Sequence, residues 1–180
     1  DNNFRTTLFF NNYILSKKMN NLNTLKNKII SSKLIADKVN IWKNNKQKIV
    51  FTNGCFDIIH LGHIELLAKS ADLGNRLIIG INSDSSIKSL KGEARPILGE
   101  NSRAIIIAAL NFVDAVVVFK EITPIEIIKK IQPEIIVKGG DYKEDDVVGK
   151  DIISKYGGKV IILPLTKGFS TTNILNKIEK

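Results

Sequence analysis

Short apolar runs recur along this chain at 49–51, 76–82, 115–119, 134–138 and 159–163. Their length and β-branched content predict five buried strands. Between them the apolar positions change to a helical period. Ile35, Val39 and Trp42 share one face of a helix over 33–44, with lysines opposite. Ile64, Leu67, Ala68 and Ala71 follow i, i+3, i+4, i+7 after Gly62, and Gly74 stops that helix. Helices are also predicted over 101–110, from 124 to about 131, over 147–156, and after residue 170 with Ile174, Leu175 and Ile178. Ser83 to Ser86 are placed to cap a helical turn. Thr123-Pro124-Ile125-Glu126 reads as a capping threonine with a first-turn proline. Strands and helices alternate, and the strands are apolar throughout. This predicts an α/β fold, with a five-stranded parallel sheet covered by helices on both faces.

A chain of 180 residues with 43% hydrophobic content can bury one sizeable core. Residues 1–48 carry ten Lys/Arg against two Asp/Glu, a net +8, whereas the rest carries seventeen against sixteen. The excess charge therefore lies outside the predicted sheet, and nucleic-acid binding is not expected. Residues 1–32 read as an N-terminal extension, in part poorly ordered, with 33–180 as the folded domain. Met19 is the only methionine and a candidate start. No apolar run is long enough to predict a membrane span. The single cysteine, Cys55, allows no intrachain disulfide and suits a cytoplasmic setting.

The chemistry-bearing stretch runs from Lys48 to Leu67. A strand ends at Asn53-Gly54, and Asp57, His60 and His63 follow at intervals of three. Helix N-termini attract phosphate through unpaired N–H groups and the helix dipole. Three readings of the imidazoles stand at this point: structural hydrogen bonding, a metal site with Asp57, and phosphate binding. Cys55 beside the histidines also permits a nucleophile reading, although no third orienting group is evident.

Gly54-Cys-Phe-Asp-Ile-Ile-His-Leu-Gly-His63 resembles the G-x-F-D-x-x-H-x-G-H signature of the nucleotidyltransferases. The resemblance continues through Gly80 to Asp84, Leu90 to Gly92, Arg95-Pro96, Val137 to Tyr142, Val148-Gly149 and Gly168 to Asn173. As a set it is most similar to the adenylyltransferases of ADP-heptose synthesis and covers roughly residues 34–180. It implies a Rossmann-like sheet of order 3-2-1-4-5 of the His-x-Gly-His type. It also implies transfer of AMP from ATP to D-glycero-β-D-manno-heptose 1-phosphate, for lipopolysaccharide core synthesis, and a homodimer.

The same resemblance implies the site. His60 and His63 would donate to ATP phosphates, and Asn53, Gly54, Cys55 and Phe56 would bring backbone groups near the nucleotide with Gly62. Asp57 would organise the site, with Mg²⁺ carried mainly by ATP. Lys91 would act in catalysis and on the acceptor phosphate, and Arg95 would help bind that substrate. Arg103 would assist at the nucleotide. Gly139, Gly140 and Asp141 would lie near the nucleoside, and Ser170 and Thr171 would cradle the β and γ phosphates. This chain has Leu165-Thr-Lys-Gly-Phe-Ser-Thr where some cytidylyltransferase relatives have Arg-Thr-x-Gly-x-Ser-Thr. The alternatives are a cytidylyltransferase acting on glycerol 3-phosphate or another small phosphorylated alcohol, and a nucleotide-binding module without turnover.

Overall fold

The computed structural model describes residues 20–178 apart from Asp141 and Lys167. In chain order the elements are α1 (Asn21–Lys28), α2 (Ile35–Asn44), β1 (Ile49–Gly54), α3 (Leu61–Ala71), β2 (Arg76–Asn82), α4 (Asp84–Lys91) and α5 (Glu100–Ala108). β3 (Ala115–Phe119), α6 (Ile125–Ile131), β4 (Ile135–Gly139), a single 3₁₀ turn, α7 (Lys150–Ser154), β5 (Lys159–Leu163) and α8 (Thr171–Ile178) complete the described chain.

All five strands are parallel, in the order β3-β2-β1-β4-β5. Alternate side chains leave opposite faces of a strand, and here both faces are buried. Ile49, Phe51, Ile78, Val117 and Ile136 pack with Ile35, Val39 and Trp42 of α2 and with Ile127, Ile128 and Ile131 of α6. Val50, Leu77, Ile79, Ile81 and Val137 pack with Leu67 of α3 and with Ala104, Ile107 and Ala108 of α5. This two-sided burial is why the strands are apolar throughout.

The chain runs from β1 outward to β3, then returns to the other side of β1 to lay down β4 and β5. The sheet order therefore reverses at β1 and β4. A crevice opens there beyond the strands' carboxyl ends, the place where open α/β sheets bind ligands.

Three expectations are corrected. The folded unit reaches back beyond residue 33. Ile29 bridges Val116 in parallel, the Ile30 N–H donates to the Val116 carbonyl at 2.8 Å, and Leu25 and Ile29 pack against the core. Thr123 makes no cap, because α6 begins after Pro124 without a side-chain cap bond. The helix expected over 147–156 is only Lys150–Ser154, entered through Gly149 at φ 94°. A Cβ on Gly149 would lie 2.5 Å from Ile128 Cδ1, so tight packing on α6 as well as backbone conformation selects glycine.

Candidate active site

The β1 strand ends in a turn that only a close-packed backbone could make. Phe56 adopts φ 47°, in the left-handed region that side chains rarely occupy, yet it is buried. Its ring lies beneath Gly54, where a Cβ would come within 3.2 Å of two ring carbons. This turn delivers His60 to the N-cap of α3 and His63 to its first turn.

The two imidazoles stack with centroids 3.8 Å apart and planes 24° apart, and Phe56 meets His63 edge-on at 5.3 Å. His60 Nδ1 and His63 Nδ1 are buried without a hydrogen-bond partner among the described residues. Burial pushes the His60 pKa down. Burial, then His60, then the Lys91 charge push His63 from 6.5 to about 4. Both rings are therefore neutral near pH 7. A buried bare nitrogen costs less than a buried unpaired N–H, so the proton sits on Nε2. That makes each ring a neutral Nε2–H donor.

Asp57 is held by groups of the protein itself. Its buried carboxylate accepts the Ile97 N–H at 2.8 and 3.0 Å, the Leu98 N–H at 2.9 Å and Arg95 Nε at 2.6 Å. Burial alone would raise its pKa, but the Leu98 and Ile97 N–H groups and Arg95 outweigh it and hold the carboxyl below its ordinary value. Asp57 thus ties the loop after α4 to the turn after β1, and its oxygens are taken up. A metal ligated by Asp57 does not fit this arrangement. Among the described residues no group of three or more His, Cys, Asp or Glu side chains could hold an ion.

Arg95 pairs with Asp57 through Nε and Nη2, and its side chain keeps 16% exposure. Arg103 is fully buried and donates to Leu98 O at 2.9 Å, Cys55 O at 2.7 Å and Asp84 Oδ1 at 2.7 Å. It braces the site from inside the protein and does not reach a nucleotide.

Two adjoining cavities occupy the crevice. The smaller, about 180 Å³, is lined by Phe56, His63, Leu66, Gly139 and Leu165. The larger, about 450 Å³, is lined by Asn82, Leu90, Lys91, Thr123 and Val148, among others. Both share Asn53, Gly54, Cys55, Lys138 and Tyr142. Lys91 is the last residue of α4, and its charge reaches His63.

The approach to α8 packs against the start of α3. A Cβ on Gly62 would lie 3.2 Å from the His60 ring and 3.3 Å from Phe169 Cβ. The N-terminal ends of α3 and α8 therefore sit side by side. Ser170 precedes α8, and the Ile174 N–H donates to its carbonyl. Thr166 Oγ1 donates to Glu65 Oε2 at 2.7 Å and fastens the preceding loop to α3. A Cβ on Gly140 would meet Leu163 O and Pro164 Cα at 3.3 Å, so this strand end packs closely on the chain after β5. Asp141 and Lys167 lie outside the described residues.

The site also contains residues that the sequence reasoning passed over. Lys138, only 8% exposed, donates to Asn53 Oδ1 at 2.7 Å and Asn53 O at 3.3 Å, and stands 5.2 Å from the Tyr142 ring centre. By taking the Asn53 oxygen it turns the Asn53 amide N–H groups away from itself. A cation ending an otherwise apolar strand run was the available signal. Asn82 and Tyr142 lie within matched stretches, 80–84 and 137–142, in which neither had been given a role of its own.

A model of the cytidylyltransferase-like family matches residues 51–177. The chain is 47% identical over 150 residues to the bifunctional protein HldE of Koribacter versatilis, covering 83% of this chain and 31% of that protein. It is 49% identical over 144 residues to HldE of Syntrophotalea carbinolica, covering 80% and 29%. It thus spans about three tenths of the length of these curated relatives.

Among solved structures, the lipopolysaccharide core biosynthesis protein of Thermoplasma volcanium matches at TM-score 0.55 and 33% identity. That match covers 68% of this chain and 99% of the other. Pantoate-beta-alanine ligase of Francisella tularensis matches at TM-score 0.57 over 83% of this chain and 77% of its own; at 17% identity it speaks for the fold alone. The family match over most of the chain and the near-complete coverage of the Thermoplasma protein agree with the β1 turn and its paired histidines: the chain belongs to the cytidylyltransferase-like family of nucleotidyltransferase enzymes.

Proposed function

We propose that this domain transfers AMP from ATP to D-glycero-β-D-manno-heptose 1-phosphate, giving ADP-heptose and pyrophosphate for lipopolysaccharide core synthesis. The observation that carries the reading is the pair of cavities meeting at Asn53, Gly54 and Cys55, with His63 on one side and Lys91 on the other. Two phosphorylated reactants need two adjoining compartments with donors where they meet. The likeness to HldE and to a lipopolysaccharide core biosynthesis protein supports the choice of sugar.

In this reading an oxygen of the acceptor phosphate attacks the α-phosphorus of ATP. The bond from that phosphorus to the bridging oxygen breaks, and pyrophosphate leaves with the electron pair. The neutral Nε2–H groups of His60 and His63 donate to the charge that builds on the phosphates. Lys91 draws the acceptor phosphate in and offsets repulsion between two anions. Lys138 and Asn53 hold the floor between the compartments. The adjacent N-terminal ends of α3 and α8 add oriented N–H groups for the phosphates. Positioning and preorganised charge account for the catalysis without a covalent nucleophile. Mg²⁺ arrives with ATP as part of that substrate.

Pyrophosphate release tests the reading, with ATP or CTP offered alongside the heptose 1-phosphate or glycerol 3-phosphate. Release with ATP and the heptose supports it. Release only with CTP and glycerol 3-phosphate replaces it with a cytidylyltransferase, and nucleotide binding without release leaves a binding module.

A further inference from the structure

The larger cavity contains a polar group whose direction is fixed by its neighbours and which phosphate chemistry does not use. Asn82 ends β2, lines that cavity and is only 4% exposed. Its Nδ2 lies 3.0 Å from Ser86 Oγ, and Ser86 Oγ lies 3.0 Å from the Glu121 carbonyl. A carbonyl oxygen can only accept, so the single hydroxyl proton of Ser86 is committed to Glu121. Ser86 can then only accept from Asn82, and Asn82 must present its NH₂ to it.

Ser86 is itself held, because its N–H donates to the capping Ser83 Oγ at 3.2 Å. The amide is planar, so Oδ1 faces away from Ser86. Among the described residues Asn82 Oδ1 has no hydrogen-bond partner, and the buried side-chain atoms lacking one are the two imidazole Nδ1 atoms alone. Asn82 Oδ1 is therefore not sealed in, and the cavity that Asn82 lines is what it opens onto.

A fixed amide oxygen repels phosphate and accepts from a hydroxyl. Lys91 and Lys138, in the same cavity, supply the cations that phosphate needs. We propose that Asn82 is a specificity-determining residue whose Oδ1 accepts a hydrogen bond from one hydroxyl of the acceptor sugar, with Ser86 as the positioning residue that fixes its direction. This rests on the reading that the larger cavity holds a sugar phosphate. A buried oxygen held in one direction distinguishes an acceptor with a hydroxyl at that place from one without it.

The test compares the whole chain with its Asn82→Ala and Ser86→Ala variants. Pyrophosphate release from ATP is measured with D-glycero-β-D-manno-heptose 1-phosphate and its single-deoxy analogues. With the wild type, one analogue is expected to lose roughly tenfold in kcat/KM, the worth of one hydrogen bond. Asn82→Ala is expected to lose about the same factor on the full sugar, to lose nothing further on that analogue, and to leave KM for ATP unchanged. Ser86→Ala, which frees the amide to turn, is expected to discriminate less against that same analogue. Should Asn82→Ala not fold, the Ser86→Ala comparison decides alone. Wild-type ranking of the analogues in the folded variants, or a raised KM for ATP in place of the acceptor effect, overturns the proposal. A wild-type chain that accepts no sugar phosphate overturns the reading of the cavity and this assignment with it, which is distinct from an active wild type whose variants do not change.

Discussion

Arg95 grips Asp57 through two nitrogens, at 2.5 and 2.6 Å, and the same carboxylate accepts the N–H groups of Ile97 and Leu98. Two segments some forty residues apart in sequence are thus locked together behind the histidines. The pair sets where Lys91, four residues before Arg95, stands relative to His63.

Asp57→Ala leaves a guanidinium and two backbone N–H groups without their acceptor. We expect a loss of about 3 kcal/mol in unfolding free energy, measured by urea denaturation. A change within the error of the wild-type value would mean that the loop holds its place without Asp57.

His63→Ala removes a preorganised donor while leaving the apolar face of α3, which buries Leu67, in place. A drop in kcat of roughly 10²–10³-fold is expected, with the circular dichroism spectrum unchanged. Near-normal turnover by a folded variant would count against the donor role.

The half-buried imidazoles make the fold sensitive to acid. His63 binds its proton at about 4 when folded and near 6.5 when unfolded, and His60 is shifted the same way. Between these values the unfolded chain binds more protons, so stability is complete above about 6.5 and is lost as pH falls towards 4. Thermal melts from pH 7 to pH 4 should show Tm falling across this window. His63→Gln should flatten the slope, and an equal slope in both proteins would contradict the assignment.

Leu25 and Ile29 pack against the core, and Lys28 Nζ donates to the Leu110 carbonyl at 3.1 Å. Replacing Leu25 and Ile29 together by alanine is expected to cost roughly 2–4 kcal/mol, read by denaturant unfolding. A neutral result would restore residue 33 as the start of the folded unit.

The sheet was legible because its strands are buried on both faces, which writes apolar runs such as 76–82 directly into the sequence. The β1 turn and its histidines were legible through motif spacing. Burial partners were not. Arg95 and Arg103 have the residue type of a phosphate site, yet Arg95 pairs with Asp57 and Arg103 with Asp84 and backbone carbonyls, a fact of tertiary distance that spacing along the chain does not carry. The α1 segment was missed for a related reason. Its apolar positions, Leu22, Leu25 and Ile29, lie among asparagines and lysines, and so short a helix takes its stability from packing against α5 and from the Ile29 and Ile30 contacts with β3.

The most direct test of the account is a competition assay. Heptose 1-phosphate and mannose 1-phosphate are supplied at equal concentration with ATP, and the two nucleotide-sugar products are separated and counted. The account predicts that ADP-heptose dominates and that CTP in place of ATP gives little product. Equal kcat/KM for the two sugars would contradict the heptose assignment, and a clear preference for CTP would contradict adenylyl transfer.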